Sequence, residues 1–590
     1  MADHQGAYVE LSLAGRETWH RAHTPQGLSG PGPYVAEAVD IDGPLDVAGF
    51  RSAVAQVVQE AEAVRLRIPA GGADGGAVKA EVDDGLPLPE VDLSAESDPD
   101  AAAEEWTRAA LARVLPDEDG TLSVQVLLRL SARRHRWLHL HHRAALDGYG
   151  TALVTRRAAE IYTARAEGLP LAGTALTPLG RLADEEAAYR ASSGPDRDRS
   201  FWRERLAGHT EPVTLAGTAE PGTAEPGPAS QELTLTAADA ERIHAAARYS
   251  GARPQAVLVA AVAAYTHRIT GSTDLVVGLP VDGRPSRAAE RCPGAADDVL
   301  PLRLTVRPDT GFSHLVQHVT EASGRVRAHQ RLRHAEIRAA VHAAGPTPAA
   351  DTGRPLYGPV ADVRTPGPRI RFGALTATVR RFGAEPDTGE DLRVVIDDDP
   401  ADGRPRIAFR GAPGAYTTPE LAAHARRFQR LLVSAVAAPG RPVGAIELLG
   451  GAELAAVRNW SRGDEQRLPD RRTLTGLLDA AALRAPEAVA VKDRDGSLTY
   501  RELHERANRL ARLLVQRGAG PEGVVGILLP RSAETVVAML AVLKSGAAYL
   551  PLDPAYPADR LRFMVDDARP AVVLTDAAHA DLAAPTLVLD

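Results

Sequence analysis

The sequence predicts an α/β protein made of more than one folded unit, and three observations carry that reading. The chain has 590 residues, roughly four times a 150-residue domain. Strand-like and helix-like patterns alternate along it. A similar order of elements recurs on both sides of a Pro/Gly-rich stretch, which suggests two related lobes. Apolar residues make up 44% and charged residues 25%, ordinary globular usage that excludes wholesale disorder.

Taken in order, Leu45 to Arg67 reads as a helix followed by a strand. A hairpin comes next: Leu122 to Leu130 is strand-like, Ser131 to Arg134 is the turn, and His135 to Ala144 returns. Gly217 to Gly227 repeats a Gly-Thr-Ala-Glu-Pro unit whose glycines and prolines oppose helix and sheet, so it reads as a linker. Beyond it, Thr236 with Asp239 three residues on starts a helix, Pro254 to Ile269 reads as a buried helix, and Leu275 to Val281 as a strand. Pro419 to Val436 is a basic helix and Gly444 to Leu449 a short strand; Asn459 to Pro469 is a second linker, and a new unit begins near Thr473. In that unit Thr499-Tyr-Arg-Glu502 is a capping box for a helix ending at Gly518, and Gly523 to Leu529 is a strand. The implied division is 1–175 for the first lobe, 176–230 for an inter-lobe helix and linker, 231–450 for the second lobe, 451–472 for a linker and 473–590 for the last unit.

The net charge of −9, from 68 basic and 77 acidic side chains, leaves no basic surplus for nucleic acid. Arg133-Arg134-His135-Arg136 and Arg426-Arg427 read as solvated faces. The single cysteine, Cys292, supplies neither an internal disulfide nor a cysteine-based zinc site, which fits a reducing cytoplasm. The longest apolar run, Ala256 to Tyr265, is well short of the ~20 residues of a membrane span, and no signal-like segment follows Met1. A cytoplasmic protein without membrane or nucleic-acid partners is expected.

One segment stands out: Trp137-Leu-His139-Leu-His141-His142-Arg143-Ala-Ala-Leu-Asp147-Gly148-Tyr-Gly150. On a strand, Trp137, His139, His141 and Arg143 share one face and His142 takes the other. The Asp-Gly pair after Leu146 then turns the chain. His139 and His142 face opposite ways with no adjoining carboxylate cluster, so the histidines read as structural, with no metal and no bound cofactor.

This segment resembles the HHxxxDG motif of condensation domains from nonribosomal peptide synthetases. The similarity extends to Ser12-Leu-Ala-Gly-Arg16-Glu-Thr-Trp19, Glu62-Ala-Val-Arg65, Phe201-Trp202-Arg-Glu-Arg-Leu206, Gly278-Leu-Pro-Val-Asp-Gly-Arg284 and Pro293-Gly-Ala-Ala-Asp297-Asp298-Val-Leu-Pro-Leu302, in the family's order across roughly residues 8 to 450. The resemblance implies two chloramphenicol-acetyltransferase-like lobes forming a V with a central tunnel. From Thr473 onward the chain resembles the start of an adenylation domain, and Leu543-Lys-Ser-Gly-Ala-Ala-Tyr-Leu-Pro-Leu-Asp553-Pro-Ala-Tyr-Pro557 matches its second core motif. The phosphate loop, amino-acid pocket and catalytic lysine of that family are missing, so no adenylate is expected from this partial α/β unit. Such a fragment should expose apolar positions such as Val536, Leu540 and Leu543 and be poorly stable alone. No carrier-protein serine follows Leu449-Gly450-Gly451, so no pantetheine attachment point is present.

What the family implies is amide formation between a donor thioester and the amine of an acceptor aminoacyl thioester, both on phosphopantetheine arms of carrier proteins. The donor carrier is expected in trans, because the condensation region starts almost at Met1; the acceptor carrier lies downstream, the adenylation domain belongs to the same module, and the condensation domain is monomeric. Site residues by alignment are His142, Arg143, Asp147 and Gly148, with Asp147 held through an arginine partner. Without a gap, the family's second histidine is Arg143, which stays protonated and has no acceptor lone pair, so it cannot be a base. The alternative pairs His141 with His142 and inserts one residue before Asp147, at the cost of flipping the following side chains. Asp297-Asp298 stands where the family commonly carries Ser-Asn and would repel an anionic donor or favour a cationic one. Loss of the histidine leaves two readings open: condensation by positioning and charge stabilisation, since proximity alone acts strongly, or a silent docking, gating or recruitment domain. An epimerisation domain is disfavoured by the adenylation start that follows, and a heterocyclisation domain by the absence of a DxxxxD pattern.

Overall fold

The computed structural model describes residues 8–22, 34–68, 73–74, 77–111, 120–171, 175–209, 211–216, 229–343, 354–364, 370–382, 390–397, 404–463, 473–582 and 586–589. The chain divides into two compact units, Met1–Ala456 and Val457–Asp590. The 217–227 linker lies outside the described residues, as does 464–469 of the second, while Asn459 and Trp460 end the helix Gly451–Trp460.

The first unit holds two six-stranded sheets. One runs Ile370–Phe372, Leu375–Phe382, Tyr34–Asp42, Arg134–His142, Ser123–Ser131, Glu90–Asp92. The other runs Asp298–Thr305, Asp274–Val281, Val360–Arg364, Leu392–Asp397, Arg406–Gly411, Ser230–Thr234. The first sheet corrects the contiguous division of the chain, because the strand Leu375–Phe382 leaves the second half and pairs with Tyr34–Asp42. Charge fixes that crossing: Arg381 reaches Glu37 at 3.1 Å and Arg380 reaches Asp40 at 3.4 Å.

Helices form where the sequence supplies caps and one apolar face. Asp46 accepts from Gly49 N and opens Val47–Glu60, which buries Phe50, Ala53, Val54, Val57 and Val58 along one stripe. Phe50 stands edge-on to Trp137 at 5.6 Å and packs 5.5 Å from Phe372, so sheet and helix share one aromatic core. In the second lobe Thr236 and Asp239 form a capping box, and Pro254–Thr270 is buried along most of its length, ending at Gly271 with φ +73°. Two sequence readings fail here. The strand read over Gly444 to Leu449 is absent: residues 443–445 form a tight turn in which Ala445 N donates back to Pro442 O, while the Val443 and Gly444 N–H groups go to the carbonyls of Thr310 and Pro308. Arg136 is buried, not solvated, held by Asp40 at 2.6 Å and Glu104 at 3.0 Å.

The second unit is built on four parallel strands in the order Ala548–Pro551, Val524–Leu528, Val572–Thr575, Thr586–Val588, with the hairpin Val489–Lys492 and Ser497–Thr499 beside the capped helix Tyr500–Gln516. The expectation of exposed apolar faces is corrected at Leu540, which is 3% exposed in a core with Leu503, Leu514, Ile527 and Leu574. Val536 is exposed and Leu543 half-buried. Among the described residues no helix is long and apolar enough to cross a membrane.

Candidate functional site

The strand Arg134–His142 pairs with Tyr34–Asp42 without a break, from Asp42 opposite Arg134 to Tyr34 opposite His142. Alternation then sends Trp137, His139 and His141 to one face, where Trp137 stacks on His139 at 4.3 Å. Those histidines sit in a buried chain of hydrogen bonds. His141 Nδ1 meets Ser123 Oγ at 2.9 Å, His141 Nε2 meets His139 Nδ1 at 3.0 Å, and His139 Nε2 meets Thr155 Oγ1 at 3.1 Å, whose hydroxyl donates to Glu37 at 2.5 Å. Burial pushes His139 down to about 3 and His141 well below its ordinary value, so both are neutral at physiological pH. His142 takes the other face, edge-on to Trp19 at 5.8 Å, and its Nδ1 accepts from Ala144 N at 3.1 Å.

The strand ends at His142, and Arg143 starts the turn that follows. Arg143 therefore does not continue the Trp137, His139, His141 face. Its Nη2 instead donates to Asp297 Oδ2 at 2.8 Å, with the two side chains 21% and 35% exposed. Asp147 does not sit in a turn either. It is the N-cap of the helix Gly148–Ala166, accepting from Gly150 N at 2.7 Å.

Asp147 is also the centre of a fully buried clasp. Arg284 donates to both its oxygens, at 2.8 and 3.0 Å, and the N–H groups of Ala296 and Asp297 donate to Oδ2 at 2.9 and 3.1 Å. Burial pushes the Asp147 carboxyl up, but Arg284 and these N–H donors outweigh it and hold it below the ordinary carboxylate range. Arg284 itself donates to Gly294 O at 2.7 Å and lies over the Tyr149 ring at 4.6 Å. Gly283, with φ +63°, lets the loop close, since a Cβ there would stand 2.0 Å from Ala296 O.

The opening segment joins the same place. Ser12 Oγ donates to Ala295 O at 2.6 Å, and Glu17 pairs with Arg333 at 2.6 Å, which donates to Asp297 O at 3.2 Å. His334 N donates to Asp298 Oδ2 at 2.8 Å. Segments 12–19, 137–150, 278–284 and 293–302 thus meet around Asp147. Gly148 is exposed, and a Cβ there would make only an ordinary contact with Val35 Cγ2 at 3.9 Å. Cys292 is buried and its thiol is pushed up to about 12 by burial, so it is not a nucleophile.

Sequence reasoning missed Arg333, Glu37, Ser123 and Thr155 as parts of these networks, and it did not single out Arg284 as the partner of Asp147. Arg284 alone carried a signal, as the last residue of the Gly278–Arg284 segment. In chemical terms the site offers a guanidinium donor, a half-buried carboxylate against it, and a rigid clasp that fixes the backbone of that carboxylate.

Comparison with known proteins shows the family and the fold. Residues 34–359 match the condensation-domain family and residues 478–589 match the AMP-binding enzyme family. The dimodular nonribosomal peptide synthase of Bacillus subtilis (strain 168) is 34% identical over 593 residues, which is 99% of this chain and 24% of that protein. Enterobactin synthase component F of Escherichia coli (strain K12) is 29% identical over 92% of this chain and 41% of its own length. The chain thus spans about a quarter to two-fifths of these relatives. Among solved structures, the first condensation domain of the calcium-dependent antibiotic synthetase, in complex with a substrate analogue, superposes with a TM-score of 0.65 at 30% identity, covering 75% of this chain and 99% of that one. The starter condensation domain of rhizomide synthetase, in complex with C8-CoA, gives 0.66 at 30% identity, with 75% and 98% covered. The two six-stranded sheets joined at the Asp147 clasp, these matches and the parallel-sheet unit that follows in sequence place the chain in the nonribosomal peptide synthetase family, as a condensation domain followed by part of an AMP-binding domain.

Proposed function

We propose that this chain condenses a donor acyl or peptidyl thioester with the amine of an acceptor aminoacyl thioester, each carried on the phosphopantetheine arm of a carrier protein. The observation that carries this reading is the clasp: Asp147, buried between Arg284 and the Ala296 and Asp297 N–H groups, ties the motif helix to the loop that bears Asp297. The clasp holds the motif helix and the Asp297 loop in one fixed relation, which orienting two tethered reactants requires. Arg143 takes the histidine's place and stabilises the developing oxyanion, a role open to a fixed N–H donor in a half-buried site. Asp147 positions Asp297 through its N–H and, through Asp297, Arg143, and His142 supports the turn through Ala144 N. Gly148, exposed at the start of the motif helix, leaves room for an acyl or aminoacyl arm to pass.

The unbroken pairing of Arg134–His142 with Tyr34–Asp42 supports the gapless alignment that puts Arg143 at the second histidine position. The same Arg143–Asp297 pair favours a second reading, a domain silent in chemistry that docks carriers, because an ion-paired arginine accepts no proton. Intact-mass detection of the amide, with donor-loaded and acceptor-loaded carriers, separates the two. The condensation reading expects product from the unaltered chain; product only from Arg143→His would establish the silent reading. Within this reading the active protein works in the cytoplasm, its condensation region is a monomer, and its adenylation partner lies in the same module.

A further inference from the structure

We propose that Asp297 is the proton acceptor for the attacking amine in this chain, standing in for the imidazole that Arg143 replaces. This rests on the condensation reading above. Substituting arginine for histidine removes an acceptor and adds a permanent cation, and the structure pairs that cation with a carboxylate at 2.8 Å. The Asp297 carboxylate accepts from the Arg143 guanidinium and has no proton of its own to give when ionised, and it remains 35% exposed, so an incoming ammonium can reach it. It is also held. Its backbone N–H is fixed by Asp147 Oδ2 at 3.1 Å and its carbonyl by Arg333 at 3.2 Å, so the side chain projects from an immobile support. Arginine has five N–H donors, so pairing with Asp297 is compatible with donation to a second oxygen.

The step balances without a further reactant. The acceptor ammonium gives one proton to the Asp297 carboxylate. The freed nitrogen lone pair attacks the thioester carbonyl carbon, a C–N bond forms, and the carbonyl π electrons move to oxygen beside Arg143. Collapse breaks the C–S bond, and the second nitrogen proton goes to the departing thiolate, giving amide and thiol; Asp297 then returns its proton to water.

The charges around Asp297 set where it titrates. Arg143 faces it from the turn after the motif strand, Asp147 from the helix cap, Arg284 from the loop after Asp274–Val281, and Arg333 from the segment before the helix His334–Ala343; Asp298 is its chain neighbour, bound by His334 N. Burial and the nearby Asp147 charge raise the Asp297 carboxyl above the ordinary range, against the pull of Arg143 and Arg333. A carboxylate displaced in that direction is a better base near neutral pH.

The test is the single-turnover rate of amide formation against pH, with loaded carriers and the full chain. The unaltered protein should show an acid limb that rises with pH and levels once Asp297 is ionised. Asp297→Asn should lose at least ~100-fold in rate and lose the limb, while Asp297→Glu keeps the limb and part of the rate. Arg143→Gln, which removes the neighbouring cation, should move the limb to higher pH. Asp297→Asn with the rate and pH profile of the unaltered chain overturns the assignment while leaving condensation intact. No product from the unaltered chain at any pH overturns both. If thermal unfolding shows that Asp297→Asn does not fold, Arg143→Gln decides: an unmoved limb overturns the assignment.

Discussion

Asp147 is the residue on which the site's geometry depends, and its partners make its behaviour calculable. Removing Arg284 leaves a carboxylate buried without its counter-charge, so Arg284→Ala should destabilise the first unit by about 3–5 kcal/mol, measured by chemical denaturation; a loss below about 1 kcal/mol would contradict the clasp. The sign with pH follows from the depressed carboxyl. Stability from Asp147 is fully present above the ordinary carboxylate pKa and is lost as pH falls through the lower folded value, so Asp147→Asn should flatten the acid end of the stability curve. At this scale the sequence located the motif but not its contacts. Arg143 was assigned to a strand face because alternation was carried one residue past the strand's end, and its partner Asp297 is 154 residues away. Arg136 looked like part of a basic surface run, and only the neighbouring strand, with Asp40, shows why it is buried.

Elements were more legible than contacts, because caps and periodicity are local. The Thr236–Asp239 and Thr499–Glu502 boxes form as their spacing indicates, and Thr236→Ala should cost about 1 kcal/mol in the first unit. The turn at 443–445, in place of a strand over Gly444 to Leu449, is not legible, since the partners of the Val443 and Gly444 N–H groups, Thr310 and Pro308, come from a distant loop. Along the motif strand, the chain from Ser123 through His141, His139 and Thr155 to Glu37 has a consistent donor-to-acceptor direction that only neutral histidines satisfy. Unfolding exposes both rings to water at an ordinary value near 6.5. Because their folded values are depressed, this contribution is present above the unfolded value and is lost as pH falls below it. Each histidine should steepen the loss by about 1.4 kcal/mol per pH unit between the two values. Denaturation midpoints that stay constant between pH 6.5 and 4.5 would contradict neutral burial of the pair.

Across the whole molecule, the two-lobe pattern was readable from repeated elements, but the strand Leu375–Phe382 joining the first sheet was not, because β pairing between distant segments leaves no local mark. The second unit's core was misjudged for a related reason: Leu540 packs against strands that the sequence shows only as short apolar runs. Leu540→Ala should destabilise that unit by about 2–5 kcal/mol, read from its own unfolding transition. In the proposed reading, Arg143 and Asp297 together take the place of a histidine where the lobes join. The measurement that tests it most directly is the single-turnover rate of amide formation by the unaltered chain and by Arg143→Ala, with saturating loaded carriers. The account predicts product from the unaltered chain and a loss of about 100-fold or more in Arg143→Ala, with carrier affinity unchanged. Equal rates in the two proteins, or no product from the unaltered chain, would contradict it.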